Sequence, residues 1–203
     1  MTDATTTPSA SSHLEQALQF LSEQSAAPDA AELVDELKWL EKQSKQAKRT
    51  YSYGQLLGTW RLGFITGTTR SRQKAGSILG AGRFIPKLFN ISLTYTLDAA
   101  AAAEGDRGRV DNTVRFGLVR FTVTGPTQLH PRNILAFDFT HLLWAIAGIP
   151  LYNGYIRNGQ AREASFYQRT VKDQAFFSYF YVSDRLIAAR GRGGGLALWT
   201  KVD

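Results

Sequence analysis

Gly58-Thr59-Trp60-Arg61-Leu62-Gly63-Phe64 near the middle of the chain, and Asp184-Arg185-Leu186-Ile187-Ala188-Ala189-Arg190 near its end, decide the fold. Trp60, Leu62 and Phe64 are spaced by two, the period of a strand with one buried face. A Gly-x-Trp on a first strand, answered by an Arg-bearing strand close to the C-terminus, marks the closed end of a small antiparallel barrel. An Arg lying across the Trp ring would cover the barrel floor through cation–π attraction. Arg185 and Arg190 are the candidates. They have opposite parity, so a regular strand aims only one of them at Trp60.

Working outward, the two-residue period recurs. Ile91, Leu93, Tyr95 and Leu97 alternate with polar residues, as do Val119, Phe121 and Val123, and then Leu135, Phe137 and Phe139. Val114, Phe116 and Leu118 fall on even positions, so the pattern slips by one beside Gly117, which reads as a bulge or bend. Further strands are predicted over 149–156, 162–170, 174–182, 185–190 and 196–201. Asn153-Gly154, Asn158-Gly159, Ser183-Asp184 and Gly193–Gly195 supply turn signals between them. Eight or nine strands with short turns predict a mainly β protein, an antiparallel barrel. Two longer connections interrupt it, a basic one over 66–87 and an acidic one over 98–106.

The N-terminal quarter is different. Residues 1–12 are rich in Thr, Ser and Ala and read as a disordered tail. Leu14, Ala17, Leu18 and Leu21 then form one helical stripe. Pro28-Asp29 marks a break and an N-cap, and Leu33, Val34, Leu37 and Leu40 form a second stripe running to about Lys48. A helical hairpin over 13–50 therefore precedes a barrel domain over 51–203, packing on the barrel or plugging one end.

Cysteine is absent, which excludes disulfides and thiolate chemistry. No run approaches the ~20 apolar residues needed to span a bilayer, and the N-terminus reads as neither a secretory signal nor a transit peptide. The net charge is +7. From Lys42 to Leu97 there are ten Lys or Arg and no Asp or Glu. Such a block is either a solvated face or a surface for an anionic partner. Arg70, Arg72, Lys74, Arg83 and Lys87 are its candidate contacts with an anionic membrane or an acidic protein.

Little in the sequence points to catalysis. His13, His130 and His141 lack metal-ligand spacing. Asp138 and His141 are three apart, on opposite faces of a strand. The 74–83 segment has its Lys before its glycines, whereas a phosphate loop needs Lys-Ser/Thr after the last Gly, so it reads as a flexible, positively charged lid. Aromatics within the basic block lie at the core period, which disfavours stacking on nucleic acid bases. The expectation is a non-enzymatic protein without metal or cofactor.

The opening Leu57-Gly58-Thr59-Trp60-Arg61-Leu62 and the closing Phe180–Ala189, followed by Arg190-Gly191-Arg192-Gly193-Gly194, resemble the plastid lipid-associated protein family, the fibrillins of plastids and cyanobacteria. Thr124-Gly125-Pro126, Asn133–Phe139 and Leu151–Arg157 resemble its cyanobacterial branch. The resemblance covers roughly Tyr51 to the C-terminus. It implies a lipocalin-like barrel, peripheral association with the cytoplasmic side of a cyanobacterial thylakoid membrane, and handling of isoprenoid quinones, carotenoids or acyl lipids in lipid homeostasis and photoprotection. The family's acidic residue near the closing motif would fall on Asp184, which a Ser-Asp turn explains equally well. On this reading Trp60, Leu62 and Phe64 line the floor and wall of a cavity, Phe121, Phe137 and Tyr179 add aromatic walls, and Arg185 or Arg190 closes the floor. The alternatives are a packed barrel that docks on an acidic partner in a photosynthetic complex, and a helper for an enzyme of quinone synthesis.

Overall fold

The computed structural model describes residues 12–22, 25–67, 82–86, 88–98 and 105–202. Helix α1 (Ser12–Leu21) and helix α2 (Ala30–Gln46) form the N-terminal hairpin. Asp29 caps α2, its carboxylate accepting from the backbone N–H groups of Ala31 at 2.8 Å and Glu32 at 3.0 Å. All four members of the second stripe, Leu33, Val34, Leu37 and Leu40, are buried.

Among the described residues eleven strands follow: β1 (Gly58–Ile65), β2 (Arg83–Phe84), β3 (Asn90–Leu97), β4 (Arg107–Phe116), β5 (Val119–His130), β6 (Ile134–Phe137), β7 (His141–Ile146), β8 (Ile149–Tyr155), β9 (Ala175–Val182), β10 (Leu186–Gly191) and β11 (Leu196–Val202). Eight of them close an antiparallel ring in the order β4-β3-β1-β11-β10-β9-β6-β5, and the β4–β5 pairing joins its ends. The protein is a lipocalin-like barrel with helices at its N-terminus. Closure satisfies the strand edges within the ring.

Strand β5 explains the rest of the architecture. It pairs with β4 over residues 119–128. On its other side residues 127–130 pair with β6, whereas residues 119–124 pair with β7. Half of β5 thus belongs to the ring, and half carries the β7–β8 hairpin as an open extension. Gly125 and Pro126 lie between the halves. A Cβ on Gly125 would run into the backbone carbonyl of Asp138, so the strands meet there at a distance only glycine allows.

Two apolar layers hold the molecule together. Inside the ring, Trp60, Leu93, Tyr95, Leu135, Tyr179 and Trp199 pack as one cluster. Outside it, Phe64, Leu186, Leu196 and Leu198 pack under Leu14, Leu33 and Leu37 of the helices. The helical hairpin therefore covers the outer wall and does not plug the barrel. The plug is a 3-10 turn over Tyr53–Leu56, whose two terminal side chains enter the inner cluster. Each such aliphatic or aromatic side chain contributes roughly 1.5–3 kcal/mol on burial.

Four sequence expectations are corrected. The slip beside Gly117 is a two-residue hairpin turn joining Phe116 to Val119, with Gly117 at φ 56°. Asn153-Gly154 lies within β8, and the β7–β8 turn is Ala147-Gly148, both at positive φ. The stretch 162–170 is not a strand. It holds the end of α3 (Gly159–Ala164) and a 3-10 turn at Phe166–Gln168. Its only buried side chain is Phe166, so no alternating face exists to pair with a sheet. Finally, β1 does not keep one parity. Leu62 opposes Trp199 but Phe64 opposes Leu198, with a bulge between them. The extra residue turns Phe64 away from the interior and onto the helices.

Candidate functional site

Large aromatic side chains occupy the interior of the ring. Trp60, Tyr95, Tyr179 and Trp199 are almost wholly buried. The hydroxyls of Tyr95 and Tyr179 share a 2.8 Å hydrogen bond. Burial raises both well above the ordinary phenol value, so both are neutral hydrogen-bonding groups. Tyr53 fixes the plug: its hydroxyl bonds Thr127 Oγ1 at 2.8 Å and donates toward the Thr96 carbonyl at 3.1 Å. Burial, only partly offset by the Thr127 bond, raises its pKa to about 12.

The floor carries the cation the sequence calls for, on a different residue. Lys201 Nζ lies 4.2 Å from the centroid of the Trp60 ring and bonds the Leu57 carbonyl. Trp60 Nε1 donates to the Leu56 carbonyl at 2.6 Å. Neither proposed arginine takes this role. Arg185 is exposed. Arg190 points outward, and its guanidinium Nε donates to both carboxylate oxygens of Glu41 in α2, at 2.9 and 3.0 Å. The register explains this: Trp60 opposes Lys201 directly across the β1–β11 pair. Asp184 is exposed in a turn where Ser183 Oγ accepts from the Leu186 N–H.

Of the proposed cavity residues, Trp60, Phe137 and Tyr179 are in the inner cluster and Leu62 packs against it. Phe64 is in the outer layer. Phe121 is the informative case. Cross-strand pairing runs Ile91, Val114, Phe121, Trp144 and Tyr152 in one row. The adjacent row runs Leu93, Asn112, Val123 and Leu142. Leu93 belongs to the interior cluster, so both rows are on the side that faces into the barrel. The apolar inner surface therefore continues past the closed ring onto an open sheet. There Phe121 is 41% exposed and stacks on Trp144 at 5.6 Å, and Phe116 stacks on Phe89 at 5.1 Å.

The opposite face of that extension is polar. Thr113 and Thr122 bond at 3.0 Å, and Arg115 directly opposes Arg120. Like charges placed so repel. Between Asn112 and Phe137, and again between Phe139 and Arg162, the sequence holds no Asp or Glu, so the extension is cationic as well as apolar. Where it joins the ring, two ion pairs brace α3. Glu163 takes Arg109 Nη1 at 2.6 Å and the Thr140 hydroxyl at 2.6 Å. Asp138 takes Arg162, with Nε at 3.0 Å. Arg169 Nη1 lies 3.4 Å from the same carboxylate, so arginines engage Asp138 from two positions.

Sequence reasoning misses Trp144, because it predicts no strand over 141–146, and it misses Tyr152, which lies in a predicted strand but joins this row only through its pairing with Trp144. The signal is the short apolar run Leu142–Ile146, which periodicity alone does not separate from a buried helix segment. It also missed Lys201, whose position opposite Trp60 depends on register alone. Arg83 is exposed in β2, while Arg70, Arg72, Lys74 and Lys87 lie outside the described residues. Among the described residues no group of His, Asp and Glu is arranged to hold a metal ion, and no helix is long and apolar enough to cross a membrane. No model of a known protein family matches the chain, and no curated protein is significantly similar to it.

Proposed function

We propose that the protein binds a hydrophobic small molecule without transforming it, on the open apolar face leading out of its barrel. One observation carries the reading: the inward rows of β3, β4, β5, β7 and β8 stay apolar beyond the ring, leaving Phe116, Phe121 and Tyr152 exposed on the extension. Soluble proteins rarely leave contiguous apolar surface of this kind without a use for it. The aromatic rings offer flat contact to a conjugated or isoprenoid chain, at about 25 cal/mol per Å² buried before binding costs. The resemblance to plastid lipid-associated proteins agrees with a quinone, carotenoid or acyl lipid as the ligand, and with a thylakoid surface as the place of work. The cationic, carboxylate-free extension and the basic block around Arg70, Arg72 and Lys74 suit a membrane with anionic headgroups.

The large aromatics packed inside the ring favour a second reading, in which the barrel is a packed scaffold and the exposed face holds a protein partner. Purification from a pigmented photosynthetic host, organic extraction and mass spectrometry separate the two. A near-stoichiometric apolar molecule supports the carrier. A clean extract from folded protein supports the scaffold. Phe121→Ala adds a check: at its exposed position it costs about 1 kcal/mol of stability or less, whereas the carrier reading requires a clear loss of bound ligand.

A further inference from the structure

A second site lies away from the apolar face and does not depend on the reading of that face. Between the C-terminal end of α2 and strands β6 and β9 is a groove of 670 Å³, bordered by Lys45, Lys48, Arg49, Arg132, Ile134 and Tyr179. Four of its lining residues are cations and none is a carboxylate. A smaller hollow of 180 Å³ shares Ser44, Arg49 and Phe180 with it and adds Trp39, Leu40 and Tyr181. Cationic and aromatic walls thus adjoin.

The backbone here is unusual. The end of α2 forms a Schellman closure: the Arg49 N–H bonds the Ser44 carbonyl at 3.0 Å and the Lys48 N–H bonds that of Lys45 at 3.3 Å. Glycine is the usual residue at the left-handed position of this closure, yet Lys48 occupies it at φ 49°. Arg132 and Asn133 are also left-handed, at φ 65° and 58°. Asn133 is buried and uses both ends of its amide. Its Oδ1 accepts from the Tyr51 N–H at 2.9 Å and its Nδ2 donates to the Arg49 carbonyl at 2.8 Å. It clamps the Lys48–Tyr51 segment to the β5–β6 turn, so the cations from the two segments are held around one groove. Lys45 is the only one of the four with an ion-pair partner among the described residues, Glu41 at 2.8 Å. Part of this charge offsets the negative end of α2. That role needs neither Arg132, which is on another element, nor a strained lysine where glycine is favoured.

We infer that this groove is a binding site for a single anionic amphiphile. Its phosphate or similar head would sit among Lys48, Arg49 and Arg132, and the start of its chain along Trp39 and Phe180. The head chemistry is shared by a phospholipid and by a free phosphate ester, and the apolar hollow favours the lipid.

Titration calorimetry with monomeric dihexanoyl-phosphatidylglycerol, dihexanoyl-phosphatidylcholine and glycerol 3-phosphate tests this. The phosphatidylglycerol should bind at least tenfold more tightly than either other probe. Lys48→Gly should weaken it severalfold while leaving thermal stability unchanged or higher, since glycine suits that backbone. Arg132→Glu should abolish binding, and Trp39→Ala should weaken the phosphatidylglycerol only. Lys172→Glu, an exposed control elsewhere, should change nothing. Equal binding of glycerol 3-phosphate and indifference to Trp39→Ala would overturn the amphiphile in favour of a plain anion site. Binding unaffected by Lys48→Gly and Arg132→Glu, or no binding at all, would overturn the site.

Discussion

Lys201 shows how one residue completes the barrel floor. Its amine meets the Trp60 ring and the Leu57 carbonyl together. Lys201→Met keeps the apolar stem and removes both contacts, so about 1–2 kcal/mol should be lost in a denaturant titration. Arg185→Ala, in contrast, should stay within about 0.5 kcal/mol of wild type. Glu41 is the second case. Burial alone would raise its pKa, but the bonds and charges of Arg190 and Lys45 outweigh that, and it lies below the usual 4.5. A carboxylate lowered in the folded state stabilises fully above its unfolded pKa, and the gain is lost as pH falls through the folded value. The wild type should therefore lose stability below pH 4.5. Arg190→Ala leaves the buried carboxylate with Lys45 alone, costs about 1–3 kcal/mol near neutrality, and flattens that acid limb. An unchanged slope of stability against pH in the variant would assign the acid sensitivity elsewhere.

At the scale of elements, the two protruding hairpins are the feature with consequences. Their tips expose Leu118 at 72% and Ile149 at 66%. Neither side chain supports the core, so Leu118→Asp with Ile149→Asp should leave the melting temperature nearly unchanged. The same pair should sharply reduce sedimentation with phosphatidylglycerol-containing vesicles if the tips enter the headgroup region of a membrane. Charge reversal of Arg70, Arg72 and Lys74 should reduce it in a salt-dependent way, because surface attraction is screened within about 10 Å at 0.1 M salt. Loss in both variants assigns the tips and the basic block to one docking surface; vesicle binding untouched by either would remove membrane docking from the proposal.

The whole molecule depends on a closed ring around a core of neutral tyrosines. Tyr53, Tyr95 and Tyr179 all have raised pKa values in the fold. Below pH 10 their contribution is intact. Above it the unfolded chain ionises while the folded one resists, so stability falls as pH climbs toward 12 and beyond. Alkaline unfolding should be cooperative and should coincide with ionisation of the buried tyrosines, followed by absorbance near 295 nm. Tyr95→Phe with Tyr179→Phe removes that coupling and should shift the midpoint upward.

Local chemistry was legible in the sequence. The Asp29 cap and the helical stripes depend on neighbours within one or two turns. The alternating rows of β1, β3, β5 and β6 depend on a period of two, and together they are enough for an antiparallel barrel behind a helical hairpin. A resemblance carried the expectation of an apolar ligand, which no local pattern could supply. What the tertiary structure decided is pairing. A bulge after Leu62 sends Phe64 outward, and register, not composition, puts Lys201 instead of an arginine over Trp60. The split partnership of β5 carries Phe121 out of the ring onto an open face. Contacts across more than a hundred residues, such as Glu41 with Arg190, are set by closure of the ring and leave no local trace in the order of amino acids.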